Sequence, residues 1–332
     1  MNGRNRSGFK GRFLFIFIFL TVTLFSIDNF IPVKKITISP VSDRSFKNPY
    51  FKYEIVYGLK TYRSGSSLIT EKDILNSLEN TGINYVFLTD KKESIFEGKY
   101  GRYYIFDKKL EECKEILNPE NLKITPLNFI TYIKFLLWYP FNKDIAYNNI
   151  WKLYSEDIFF KNFNPEKDKC FVGGVHGKIS IRTIDTTFPD LKHQIMLVKN
   201  DVFLEERLID QLYSAKLDLY LSMDSGKVIT TLYHDPGLEI YVRTDEGFFT
   251  VGDLIDIHLN PEIYISTKPG KFITAVYKNG KVIGYFPPGN VYIKPENPGY
   301  YNIIVFSYSF KLPFNIFLGF RPVAFSNGIF IK

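Results

Sequence analysis

Two short apolar runs restrict this chain more than any other feature. Tyr53–Tyr57 reads YEIVY and Ile83–Leu88 reads INYVFL, and a helical pattern lies between them. A strand, a helix and a second strand within about 35 residues form a βαβ unit, whose two strands must be parallel. The second run is almost wholly apolar, as required of a strand covered on both faces. The helix between them has Thr70 as N-cap, with Glu71 and Asp73 in its first turn. Ile74, Leu75 and Leu78 are its buried stripe and Gly82 its stop.

Downstream, Leu127–Trp138 reads as a second apolar helix, Lys169–Val175 (KCFVGGV) as a buried strand, and 202–217 as a third helix carrying Phe203, Leu204, Leu208, Leu212 and Leu217. From about Gly226 the period shortens to two. LEIYV, EIYIS, FITAVY, GKVIGY, YYNIIVF and GIFIK are short strands separated by Gly, Pro, Asn and Asp. Asn279-Gly280 is a hairpin signal between two of them. Such a series suggests an all-β sandwich over 226–332, following an α/β unit over 51–225.

At the other end, Arg4, Arg6, Lys10 and Arg12 precede an uncharged run, Phe13–Ile27. As a helix this run spans about 22 Å, and Arg12 and Phe30–Val33 extend its reach. No small-x-small cleavage site follows. Residues 1–33 are therefore expected to be an uncleaved, single-pass membrane anchor, with 34–50 as a linker. The cationic flank stays in the cytoplasm and the body lies outside it. The net charge of +7 falls to +3 without those four cations, and no basic run or zinc-finger spacing supports nucleic-acid binding. Cys113 and Cys170 sit in no metal-binding spacing; they are either two buried thiols or an extracytoplasmic disulfide.

Four segments, in order, resemble PHP-domain (polymerase and histidinol phosphatase-like) metal-dependent phosphoesterases. That family has a first-strand motif H-x-H-T-x-x-S-D-G, then a helix, then a strand ending in T-D-H. Here 58–66 reads GLKTYRSGS and 88–91 reads LTDK, so Thr61, Ser64, Thr89 and Asp90 match. EGKYGRYY is similar to the family's acid and G-H pair, with Glu97 at the acid and Arg102 at the His. VGGVHGK is similar to G-x-D-A-H-G, with Gly174 at the Asp and His176 at the His. The closing GYYNIIVFSY and RPVAFSNGIFIK resemble the β-domain that follows the barrel in one branch of the family. The resemblance implies a distorted, seven-stranded (β/α)7 barrel followed by a β-domain.

It also implies a site that has lost most of its ligands. Family members hold two or three divalent ions, which activate water and clamp a phosphate. Gly58, Lys60, Lys91, Arg102 and Gly174 stand where ligands are expected, and only Glu97 and His176 retain a ligand type. Lysine ammonium has no lone pair to donate. No resident cofactor is therefore expected, unless Mn, Zn or Fe occupies a reduced site.

Three functional readings follow. In the first, the protein is a membrane-anchored, extracytoplasmic pseudo-phosphoesterase whose Lys60, Lys91, Arg102 and Ser64 hold an anionic small molecule, or which binds a partner. In the second, a reduced site built from Glu97, Asp90, His176 and His193 still hydrolyses phosphate esters, with Asp90 and His176 as acid–base groups. In the third, the chain is a structural envelope component. GGVHGK lacks P-loop spacing and Ser64 has no nucleophile-elbow context.

Overall fold

The computed structural model describes residues 37–40, 47–61, 69–90, 95–116, 126–149, 170–174, 191–311 and 316–332. The proposed anchor, Phe13–Ile27, lies outside the described residues. Among the described residues, no helix is long and apolar enough to cross a membrane.

The leading βαβ unit forms as its sequence dictates. Strand β1 (Phe51–Leu59) runs into helix α1 (Glu71–Leu78) and then β2 (Tyr85–Leu88), which pairs parallel to β1. Thr70 closes a capping box with Asp73: each side chain bonds the other residue's backbone N–H. The helix ends two residues earlier than Gly82 suggests. Asn80 takes the left-handed turn at φ 61, and Gly82 at φ 81 follows in the loop. Ile74, Leu78, Val86 and Leu88 are fully buried.

β3 (Gly98–Tyr100) and β4 (Tyr103–Asp107) form a hairpin whose second strand extends the parallel run beside β2. β5 (Lys114–Ile116) precedes α2 (Pro126–Trp138), which buries Tyr132 and Phe135 and leaves Phe129, Leu136 and Leu137 exposed. β6 (Phe171–Gly173) pairs parallel with β5. Cys113 and Cys170, just before these two strands, form a disulfide with Cα atoms 4.8 Å apart.

The helix expected over 202–217 is corrected. Residues 191–224 contain α3 (Leu191–Leu197), strand β7 (Val198–Leu204) and only then α4 (Leu212–Asp224). Val202 and Phe203 are fully buried in β7, which lies between β1 and β8 (Val228–Leu232) and is antiparallel to both. An apolar run flanked by two strands gains ladder hydrogen bonds on both edges, so tertiary pairing overrides helical spacing.

The remaining strands are β9 (Glu239–Arg243), β10 (Phe248–Phe249), β11 (Leu254–Ile255), β12 (Glu262–Ser266), β13 (Phe272–Lys278), β14 (Lys281–Phe286), β15 (Asn290–Ile293), β16 (Gly299–Lys311), β17 (Ile316–Ser326) and β18 (Ile329–Ile331). The β13–β14 turn has Asn279 and Gly280 at φ 49 and 75, the two positive angles a type I′ hairpin requires. One large mixed sheet runs β11-β18-β16-β17-β8-β7-β1-β2-β4-β3, with β13 joined to β16. It passes through residue 226 without a break, because β7 pairs with β8 and β8 with β17. A second sheet, β10-β9-β12-β15, contributes Ile240, Val242, Ile263, Ile265 and Val291 to the same hydrophobic cluster as Val276, Ile303, Val305 and Val323 of the first. The protein is thus a mixed α/β fold dominated by sheet. Among the described residues, β7, β1, β2, β4 and β3 form an open row.

Candidate functional site

The C-terminal ends of β1, β2 and β4 share one edge, where parallel α/β folds carry their chemistry. Gly58 opens this edge. The register of β1 against β2 slips between Tyr57 and Leu59, and Gly58 sits in that bulge at φ 84. Its backbone has a conformation that penalises any side chain.

Lys60, half-buried, follows the bulge. Thr61 is fully buried and is bonded twice by Asp90: its N–H donates to Oδ1 at 2.9 Å and its hydroxyl to Oδ2 at 2.5 Å. Asp90 therefore ties the end of β2 to the end of β1, and both its oxygens are engaged in that tie. The hydroxyl of the neighbouring Thr89 is buried and finds no partner among the described residues.

The other predicted residues do not join this pair. Glu97 lies just ahead of β3 and takes both its carboxylate bonds from Lys216 of α4, at 2.7 and 2.9 Å. Arg102 lies in the β3–β4 turn, before β4 begins. Leu88 pairs with Asp107 and Tyr85 with Tyr104, so Arg102 is at the opposite end of the parallel strands from Lys60 and Asp90. Five residues of strand separate those ends, about 17 Å. Its guanidinium lies over the Tyr103 ring, 4.9 Å from the centroid, and donates to the Tyr103 hydroxyl at 2.7 Å. His193 stacks on Tyr147 at 4.5 Å, with Nε2 3.8 Å from Asp144. Lys91, Ser64 and His176 lie outside the described residues. The structure thus brings Lys60, Thr61 and Asp90 together and sets Glu97, Arg102 and His193 apart. Among the described residues no three His, Cys, Asp or Glu side chains converge as metal ligands.

Whereas Gly58 is limited by its backbone angle, Gly174 is limited by space. A Cβ there would collide with the Glu115 carboxylate, which fills the space a residue-174 side chain would take. Glu115 carries no motif, and nothing in its sequence context marks it.

No family model matches this chain. No curated protein matches it. A two-domain protein from Bacteroides vulgatus ATCC 8482, containing a predicted PHP-like metal-dependent phosphoesterase, is a weak structural neighbour. It is 8% identical at a TM-score of 0.28, over 90% of this chain and 99% of its own.

Strand β6, which leads toward residue 176, is held by side chains that sequence reading missed. Asn200 of β7 accepts from Gly173 N–H at 2.9 Å and donates to Gly173 C=O at 2.8 Å, and the Thr230 hydroxyl donates to its Oδ1 at 2.9 Å. Asn327 treats Phe171 in the same way, at 2.8 and 2.9 Å. One edge of β6 pairs with β5 through backbone; beyond it, two buried amides bond Phe171 and Gly173, and Gly174 bridges to Tyr57 of β1. Asn327-Gly328 looks like turn chemistry in the sequence, which hides this role.

The N-terminal half of β1 carries a charge cluster instead. Asp201 is almost fully buried beside Lys52 at 3.5 Å; Lys199 contacts Glu54 at 3.2 Å and Asp235 at 3.8 Å. Burial pushes the Asp201 carboxyl from 3.8 up to about 6, Lys52 opposing the shift and Asp235 and Glu54 adding to it. The folded state then holds a proton that the unfolded chain releases, so this group's contribution to stability falls as pH rises between those values. The shift corresponds to a loss of about 3 kcal/mol, complete above pH 6. Denaturant unfolding at pH 4 and pH 7 should show that loss in the wild type, and Asp201→Asn should flatten it.

Proposed function

We propose that this chain is a membrane-anchored, extracytoplasmic PHP-like protein that binds a ligand or partner without hydrolysing it. Residues 1–33 anchor it and 34–50 link the anchor to the body. The unit over 51–225 keeps part of a PHP-like βα barrel, with β1, β2 and β4 as parallel staves, and 226–332 is the all-β unit.

The observation that carries this reading is the occupancy of the ligand positions. Asp90 is engaged by Thr61, and Glu97 by Lys216. Gly58 has a left-handed φ that penalises a side chain, and the Glu115 carboxylate fills the space beside Gly174. An active multinuclear site needs several carboxylates and histidines aimed at one point, about 2.0–2.2 Å from each ion. The Cys113–Cys170 disulfide supports the extracytoplasmic location, since such bonds persist in oxidising compartments. The distance between Arg102 and Lys60 favours a partner-binding or scaffolding role over a single anion pocket lined by Lys60, Lys91 and Arg102.

The test is metal content by mass spectrometry on the full chain, extracted in detergent without chelator. The expected result is Mn, Fe and Zn far below one ion per chain, with Glu97→Ala changing nothing and costing under about 1 kcal/mol of stability. Near-stoichiometric metal that is lost on Glu97→Ala or His176→Ala would restore the hydrolase reading.

A further inference from the structure

The second sheet carries a site that none of these motifs touches. Tyr241 of β9 and Tyr264 of β12 are directly opposed across the strands and stack at 4.8 Å with an interplanar angle of 5°. Tyr292 of β15 continues the row, edge-on to Tyr264 at 5.4 Å. Glu262 fixes its far end by accepting from the Tyr264 hydroxyl at 3.0 Å and the Tyr292 hydroxyl at 2.7 Å. Chain 47–51 crosses above this row and leaves an open cavity of 940 Å³. Small-molecule sites run from about 300 to 1,000 Å³, so the cavity holds more than a single small group.

Its lining is distinctive. Phe51 and Phe248 stand 45% and 51% exposed, although both are large apolar rings. Phe248 makes a T-shaped contact with Tyr241, ring centroids 5.9 Å apart. Lys47 and Arg243 supply two cations, and among the described residues no carboxylate lines the cavity. Glu262, across the strands from Arg243, is turned to the tyrosine hydroxyls. The Asn48 side-chain nitrogen, buried in the same wall, has no partner among the described residues.

We infer that this cavity binds an oligosaccharide bearing carboxylate groups. The exposed rings of Phe51 and Phe248 suit the apolar faces of sugar rings, since they present area at little cost in conformational entropy, while the buried Tyr241–Tyr264 stack is the floor beneath them. A guanidinium grips a carboxylate bidentately and an ammonium adds a point charge. Strand addition by a peptide has no purchase here, because β9 and β12 are hydrogen-bonded on both edges. The inference does not depend on how the metal question resolves, because no residue of the cavity belongs to the barrel edge.

The test is titration calorimetry on the full chain in detergent micelles, with hexagalacturonate, cellohexaose and hexaglutamate as probes. Hexagalacturonate should bind, with cellohexaose and hexaglutamate each at least tenfold weaker. Phe248→Ala and Arg243→Gln should each weaken hexagalacturonate binding about tenfold or more, while the melting temperature stays near that of the wild type. Both side chains are exposed, so loss of fold is a separable outcome; if either variant melts early, Lys47→Gln replaces it. No binding of hexagalacturonate by well-folded protein overturns the proposal. So does equal binding of cellohexaose, which removes the role of charge, or of hexaglutamate, which makes the site a peptide site. Unchanged affinity in the variants places binding elsewhere and also overturns it.

Discussion

Removing the disulfide, by Cys113→Ala with Cys170→Ala, is expected to lower unfolding stability by about 4 kcal/mol. The bond spans 57 residues, and loop-closure entropy for a loop of that length gives this figure. The effect falls on the unfolded chain, which gains conformations it could not otherwise visit. The folded state has its own stake in the link. Asp224 at the end of α4 accepts from the N–H groups of Glu111 and Glu112 at 3.0 and 2.9 Å, so the entry to β5 is pinned on one side by α4 and on the other by Cys170. Denaturant unfolding of wild type and double variant, both without reductant, checks this. A shift in midpoint at constant slope is the expected result; identical midpoints would mean that the two cysteines contribute no cross-link.

The second large effect is expected at Asn327. Its side chain accepts from Phe171 N–H and donates to Phe171 C=O, and both residues are buried. Asn327→Ala takes these bonds away from a buried backbone donor and a buried acceptor. Each such group costs about 1–3 kcal/mol, so the variant should lose about 4 kcal/mol. Asn327→Asp tests the mechanism further. It restores an acceptor for Phe171 N–H but has no donor for Phe171 C=O when ionised, so it should recover only part of the loss, and less at high pH. Asn200→Ala is expected to be milder, because the Thr230 hydroxyl lies 3.2 Å from Gly173 N–H and can retain that donor. Hydrogen exchange at Phe171 and Gly173 would report the two clamps separately; equal protection in wild type and Asn327→Ala would sink the idea.

Much of the fold was legible in the chain because it rests on local rules. Thr70 and Asp73 lie three residues apart, which is all a capping box needs. Asn279-Gly280 tolerates the two positive φ angles of the hairpin whatever surrounds it. The parallel β1–β2 pair follows from a helix too long to be a hairpin loop. The site was legible only in part. Asp90 reads as a short acceptor at the end of a strand, and it lies there beside Thr61. That Asp90 is occupied by Thr61, and Glu97 by Lys216, was not readable, because each partner comes from another element.

By itself, then, the sequence determined which segments become strands and helices wherever a cap, a turn or a period of two decides locally. Only the tertiary structure decided that 198–204 is a strand, since its two ladders come from β1 and β8, one about 150 residues away in sequence. Only it put Arg102 at one end of the parallel strands and Lys60 at the other, filled the space at Gly174 with Glu115, and joined two distant cysteines. The physical reason is common to all of these. Local conformation follows from a residue and its few neighbours in sequence, whereas burial, charge pairing and hydrogen-bond partners follow from which distant segments meet.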